Sequence, residues 1–239
     1  MIGAARACAG IIVLRRPRRG RIAVAVRTLT NGARMIESEP DAAVTIFGDR
    51  IDVARAFAEA LAVHGEERGL IGPLEAPRLW SRHILNCAVA APLFSGRVGD
   101  VGSGAGLPGL VLAIARPDVE WVLIEPMERR VAWLEEQASQ LGLDNVEVVR
   151  ARAEDWAWGR SLDAVTARAV SALRTLIPLT APLVREGGEL VLLKGAGAPN
   201  EITAAEKQIR RFKLSDVHVE VIGEGLLEEP TRVVRATVN

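Results

Sequence analysis

Cysteine is nearly absent from the sequence. Cys8 and Cys87 stand alone in 239 residues, too few and too far apart for a disulfide framework or a cysteine-based zinc site, so a reducing compartment is expected. Histidine is scarce too: His64, His83 and His218 show no metal-ligand spacing, and no structural metal is expected. Long apolar runs are missing. The run Ile11–Leu14 is too short to span a bilayer, and the arginines that follow it, without a cleavage-like site, argue against a signal peptide. Acids are missing from residues 1–34, which hold eight arginines, among them Arg15, Arg16, Arg18, Arg19 and Arg21. Since the whole chain balances 30 basic against 30 acidic side chains, the rest is net acidic by eight. A basic arm of this kind suits RNA phosphates, and a disordered extension is the alternative. Folding is expected to begin at Met35.

What is present is a globular composition, 49% hydrophobic, and enough length for one α/β domain with a small appendage. The informative stretch is VGDVGSGAGLPG, residues 98–109. A short strand (Arg97–Val101) runs into Gly102, Gly104 and Gly106, then into Leu107, Pro108 and a helical run through Ala115. Glycines there allow backbone angles closed to other residues and let a ligand approach the main chain. Pro108 suits the first helical turn, whose free N–H groups face a ligand.

Gly104, Gly106 and Gly109 satisfy G-x-G-x-x-G, so NAD is a competitor for this turn. Asp100 discriminates: two residues before the first glycine, a carboxylate would repel a pyrophosphate and attract the ammonium and sulfonium of S-adenosylmethionine. Glu125 ends the next apolar run (Trp121–Ile124), where a carboxylate accepts both ribose hydroxyls of either cofactor.

Elsewhere, Ile51, Ala54, Phe57, Ala58 and Leu61 recur at helix spacing, with Asp49 or Asp52 as N-cap. A second helical segment, Leu79–Phe94, carries Trp80, Arg82, His83 and Asn86 just ahead of the glycine turn. These could line a substrate entrance; Trp80 and His83 capping the sheet, with Arg82 solvated, explains the same pattern. Helix Glu128–Leu141 places Val131, Leu134, Ala138 and Leu141 on one stripe, ended by Gly142. Strands follow at Val146–Val149, Asp163–Thr166 and Leu190–Leu193, with a helix from Leu173 to Leu183 before the last. Asn200–Phe212 reads as a helix capped by Asn200, and Val217–Ile222 and Val233–Val238 alternate as strands. Strand and helix alternation predicts an α/β parallel sheet. Ala153 and Glu154 follow the third strand, where ligands bind in such sheets and a carboxylate can accept the adenine amino group. Domain organisation is read as an arm (1–34), a helical cap (35–95) and a catalytic region (96–239), cap and catalytic region packing as one unit.

The segments WSRHILN, DVGSGAGLPGLVLAIARPD, RRVAWLEEQASQLGL, NVEVVRARAE and LKG at Lys194 resemble, in order, the RsmG family of bacterial 16S ribosomal RNA guanine-N7 methyltransferases, also called glucose-inhibited division protein B. The resemblance is strong over Phe47–Gly195. It implies a class I S-adenosylmethionine-dependent methyltransferase (Rossmann-like) fold, a seven-stranded sheet ending in an antiparallel hairpin and preceded by helices. It implies cofactor contacts at Gly102, Leu107, Ala153, Glu154 and Arg168, beside Asp100, Gly104 and Glu125. Two departures stand out: Ala167 replaces the family's usual serine, and Asn86 its usual acid. The basic arm has no counterpart.

Guanine N7 has no proton to lose, so no acid or base catalyst is assigned; in-line positioning and exclusion of water supply the acceleration. No Asn-Pro-Pro-aromatic motif follows the fourth strand and no cysteine follows the glycine turn, which disfavours exocyclic-amine and cytosine-C5 transfer. Arg82, His83 and Lys194 are the expected RNA-binding residues, and the target is an unpaired or extruded base of 16S rRNA or the small subunit. A cytoplasmic monomer without membrane contact is expected. An NAD-dependent oxidoreductase and a non-catalytic RNA-binding assembly factor are the alternatives.

Overall fold

The computed structural model describes residues 37–156 and 159–239; the basic arm and Met35 lie outside them. The described residues open with α1 (Ala42–Phe47) and α2 (Ile51–His64), a π-helical segment Leu79–Leu85 and the short α3 (Asn86–Ala88). Alternation then sets in: β1 (Arg97–Val101), α4 (Gly109–Ala115), β2 (Glu120–Ile124), α5 (Glu128–Gln140), β3 (Val146–Val149), β4 (Leu162–Arg168), α6 (Leu173–Thr180), β5 (Val184–Lys194), α7 (Ala198–Ala204), α8 (Glu206–Arg211), β6 (Leu214–Ile222) and β7 (Thr231–Val238). The seven strands form one sheet in the order β3-β2-β1-β4-β5-β7-β6. β1 to β5 pair in parallel, and β7 runs antiparallel between β5 and β6.

Burial explains the pattern. β1, β2 and β4 are covered on both faces, so their apolar residues run on without alternation. On one face Val98, Trp121 and Leu123 join Leu110, Leu112 and Ile114 of α4 with Phe57, Leu61, Trp80 and Ile84 of the N-terminal helices in a single hydrophobic cluster. Burying a side chain such as Phe57 stabilises by roughly 1.5–3 kcal/mol, which ties the helical cap to the sheet. Phe94 meets Trp121 edge-on, with ring centroids 5.2 Å apart. The opposite face is closed by α6, α7 and α8.

Several local expectations are corrected. α2 begins at Ile51 with Arg50 at its N-cap and no side-chain cap, so neither Asp49 nor Asp52 serves; a preceding 3-10 turn, Gly48–Arg50, delivers the chain into the helix instead. Pro108 stands at the N-cap of α4 rather than in its first turn. The stretch after Leu79 is a π-helical turn, a short α-helix and a 3-10 turn rather than one α-helix. Asn200 lies inside α7, whose N-cap is Gly197, and the helix predicted over 200–212 is two. β5 is 11 residues long because the polar, glycine-containing stretch Arg185–Glu189 continues the strand through a bulge against β4. Gly142 does end α5: with φ 61°, it donates to Ser139 O while Leu143 N donates to Ala138 O at 2.9 Å, the paired bonds of a left-handed helix stop.

Candidate functional site

In a sheet of this order the connections reverse direction between β1 and β4, opening a crevice beyond their carboxyl ends. The glycine turn fills it. Asp100, in register with Leu123 of β2 and Thr166 of β4, is fully buried. Its Oδ2 accepts the Gly109 N–H at 2.9 Å, fastening the start of α4 to the end of β1. Its Oδ1 has no partner, and neither has Thr166 Oγ1 on the adjacent strand. Burial pushes the Asp100 carboxyl up to about 7, outweighing the Gly109 N–H, the Ser103 side chain and the Arg168 charge, which all favour the ionised form.

Glu125 braces the other side of the turn. Its Oε2 accepts Gly104 N–H at 2.9 Å and its Oε1 accepts Met127 N–H at 3.0 Å, with Arg130 3.9 Å away. Gly104 stands at φ 56°, a conformation that glycine adopts without strain. Each Glu125 oxygen retains a lone pair beyond these bonds, enough to accept a diol.

Two cavities flank this frame. The smaller, about 290 Å³, is lined by Gly102, Gly104 and Leu107 of the turn, by Arg168, and by Ile71 and Glu75 of the connection after α2. The larger, about 730 Å³, is lined by Arg82, Asn86, Lys194, Glu229 and Arg232. They share His83, Arg168 and Ala169. Ala169 holds φ 56°, a strained setting for a residue with a Cβ, where β4 ends between the cavities.

The expected cofactor residues therefore converge in part. Gly102, Gly104, Leu107 and Arg168 line the small cavity; Asp100 and Glu125 are buried behind the turn, which they hold through Gly109 N–H and Gly104 N–H, and like Ala153 and Glu154 of the 3-10 turn after β3 they are not among the lining residues. The expected RNA-binding residues Arg82, His83 and Lys194 all line the large cavity, with different electrostatics. Arg82 is 55% exposed. Lys194 is half-buried, its ammonium 2.7 Å from Glu201 and 2.8 Å from Ser171 O, so its charge is already matched. His83 lies between Glu75 and Arg168. Trp80 belongs to the core.

Glu75 and Ile71 escape the sequence reading. Glu75 stands in a glycine- and proline-rich connection, and nothing local marks it as the acceptor for Arg78 at 2.7 Å and His83 at 2.6 Å. Trp133 is missed as well: it falls beside the apolar stripe of α5, yet is fully buried with Nε1 donating to Ala105 O of the turn at 3.0 Å. Its size, next to Leu134, was the available signal.

S-adenosylmethionine fits this frame. Asp100 Oδ1, buried behind the turn, accepts no hydrogen bond, and the Gly104 backbone leaves open space where a side chain would stand, its nearest non-neighbour atom being Gly102 O at 3.7 Å.

Comparison with known proteins agrees with the architecture. Solved structures similar in fold include a SAM-dependent O-methyltransferase from Thermotoga maritima (TM-score 0.51, 16% identity, covering 76% of this chain and 71% of that one). Another is a SAM-dependent methyltransferase from Aquifex aeolicus (TM-score 0.50, 18% identity, 73% and 98%). In sequence, the chain is 67% identical over 204 residues to the ribosomal RNA small subunit methyltransferase G of Leifsonia xyli subsp. xyli, covering 85% of this chain and 98% of that protein. It is 65% identical to that of Clavibacter sepedonicus, covering 85% and 97%. The family model described as rRNA small subunit methyltransferase G matches residues 50–230, and the chain belongs to that family.

Proposed function

We propose that this chain transfers a methyl group from S-adenosylmethionine to N7 of a guanine in the 16S ribosomal RNA of the small subunit. The observation that carries this reading is the meeting of two cavities at Arg168 and Ala169, the smaller floored by a glycine turn over a buried carboxylate with one oxygen unspent. A buried carboxylate favours a cationic ligand over the pyrophosphate of NAD, which speaks against an oxidoreductase. The methyl donor, when bound, supplies an electrophilic carbon on a sulfonium. Gly102, Gly104, Leu107 and Arg168 hold it, Asp100 matches its charge, Glu125 receives its ribose, and Ala153 with Glu154 flank the adenine end.

The larger cavity is wide enough for an extruded base, and a guanine entering it brings N7 toward the wall the two cavities share. N7 carries a lone pair and no proton, so the chain needs no general base; its work is alignment and exclusion of water. Cap (35–95) and catalytic region (96–239) act as one unit. The setting is the cytoplasm, the enzyme a monomer, and its substrate ribosomal RNA or an assembled subunit rather than free RNA at large, given the net acidic body. Among the described residues no helix is long and apolar enough to cross a membrane.

The test is methyl transfer from labelled S-adenosylmethionine to small subunits from cells lacking the enzyme, followed by chemical cleavage at N7-methylguanine. Cleavage at one guanine is expected; label on cytosine or adenine overturns the substrate, and cofactor binding without transfer favours the assembly factor.

Arg82 and Lys194 separate in this reading. Arg82→Ala is expected to weaken RNA binding and to flatten the slope of log affinity against log salt by about one, as for loss of a phosphate contact, with S-adenosylmethionine binding intact. Lys194→Ala changes that slope less, because Glu201 already matches the ammonium. Filter binding across a salt series checks both.

A further inference from the structure

An arginine side chain has five N–H donors and no acceptor, so a ring nitrogen in contact with it must present a lone pair. Arg168 Nη2 lies 2.9 Å from His83 Nδ1; Nδ1 is therefore bare. The other ring nitrogen, Nε2, lies 2.6 Å from Glu75 Oε2. The Arg78 hydrogen bond holds the Glu75 carboxyl below its usual range, so it is an acceptor and Nε2 carries the hydrogen. Both contacts select the same neutral tautomer of a ring that is only 12% exposed.

We propose that His83 is a positioning residue: its bare Nδ1 fixes the Arg168 guanidinium in the wall between the two cavities, and Glu75 holds the ring in the tautomer that can do so. The inference rests on the reading of the small cavity as the methyl donor's site. It gives His83 a task different from gripping RNA, since both ring nitrogens are committed within the protein. Arg168 is otherwise weakly held there: Nη1 reaches Arg82 O at 3.4 Å and Nε is buried without a partner.

Protonation would set an N–H against an N–H and place a second cation beside Arg168. The charged groups around the ring are Glu75, which favours the imidazolium, and Arg168 and Arg82, which oppose it, with Arg78 bound to Glu75. Burial is the largest influence and holds His83 below the ordinary histidine range. The contact is thus intact at neutral pH and lost as pH falls through the window beneath about 6.5.

Three variants of the full chain separate the roles. In His83→Asn the amide oxygen stands where Nδ1 stood and accepts from Arg168 at any pH. His83→Gln reaches Glu75 but not Arg168, and His83→Ala reaches neither. Calorimetric titration with S-adenosylmethionine at pH 8 is expected to show His83→Ala and His83→Gln weakened about tenfold, equivalent to about 1.4 kcal/mol, and His83→Asn retaining more affinity than either. Between pH 8 and 5 the wild type should weaken relative to His83→Asn, the ratio levelling off at about the tenfold loss expected of His83→Ala, the size of the contact that protonation removes. Asp100 titrates in both proteins and cancels in the ratio.

Independently of any ligand, long-range proton–nitrogen correlation spectra, with the His83 signals identified by their absence in His83→Asn, should show Nε2 protonated and Nδ1 bare at pH 8. An Nδ1–H tautomer or an imidazolium at that pH overturns the inference, as does a His83→Asn variant no better than His83→Ala. A wild type with the expected tautomer that binds no S-adenosylmethionine overturns the proposed function instead, and with it the inferred purpose of the contact.

Discussion

Asp100→Asn is expected to make the protein more stable and its cofactor binding weaker, in the same variant. The amide oxygen of asparagine can still accept the Gly109 N–H that Asp100 Oδ2 accepts at 2.9 Å, so the turn keeps its anchor. What disappears is a charge that is fully buried with one oxygen unpartnered. The sign follows from linkage. Burial raises the folded-state value from 3.8 to about 7, so the folded protein holds this proton more tightly than the unfolded chain does. The associated stability is complete below about 4 and is lost as pH rises to 7. Asparagine escapes that loss; its gain in melting temperature should be absent at pH 4 and full at pH 8.

Binding moves the other way. A cation within 4–6 Å of a carboxylate at an effective dielectric of about 20 gains roughly 3–4 kcal/mol before desolvation is charged against it. Losing about half of that weakens S-adenosylmethionine binding roughly 10- to 30-fold. Wild-type binding at pH 6 should also release a proton, visible as a dependence of the binding heat on buffer ionisation. Equal affinities for both proteins would mean that the charge of Asp100 takes no part in holding the ligand.

Gly109→Ala is expected to cost folding itself. A Cβ built there would lie 2.5 Å from Asp100 Oδ2 and 3.1 Å from Asp100 Cβ, besides meeting a methyl of Leu123. The helix would have to back away from the sheet and give up the bond to Asp100. Overpacking and a broken buried hydrogen bond together come to about 3 kcal/mol, or a fall in melting temperature of roughly 6–12 °C for a chain of this size. Gly104→Ala makes a useful contrast. Its site is open, with Gly102 O at 3.7 Å, but its φ is 56°, so the cost should be nearer 1–2 kcal/mol and the greater damage should fall on ligand binding. Similar melting temperatures for the two variants would contradict the packing argument.

How far the residues alone carry the fold depends on the range of the interactions concerned. β1 matches its predicted limits because a stretch buried on both faces ends at the glycine turn, and β3 matches its limits although none of its residues is fully buried. The glycine turn, Asp100 and Glu125 were readable because spacing within about 25 residues sets their neighbours. The extension of β5 was not: Arg185 and Glu189 look like loop, and the strand is held there by backbone pairing with β4, which side-chain pattern does not encode. Lys194 was readable as a cation near the site but not as one matched by Glu201. Glu75, His83 and Arg168 meet from a connection, a π-helical turn and a strand end; only the folded chain brings them together.

Trp133 gives the turn an optical readout. Its indole N–H is bonded to Ala105 O within the turn and the Arg68 guanidinium sits 5.2 Å above its ring. Emission from this one indole, isolated from the other four tryptophans by subtracting the spectrum of a Trp133→Phe protein, tracks any displacement of the loop in real time and without an attached dye.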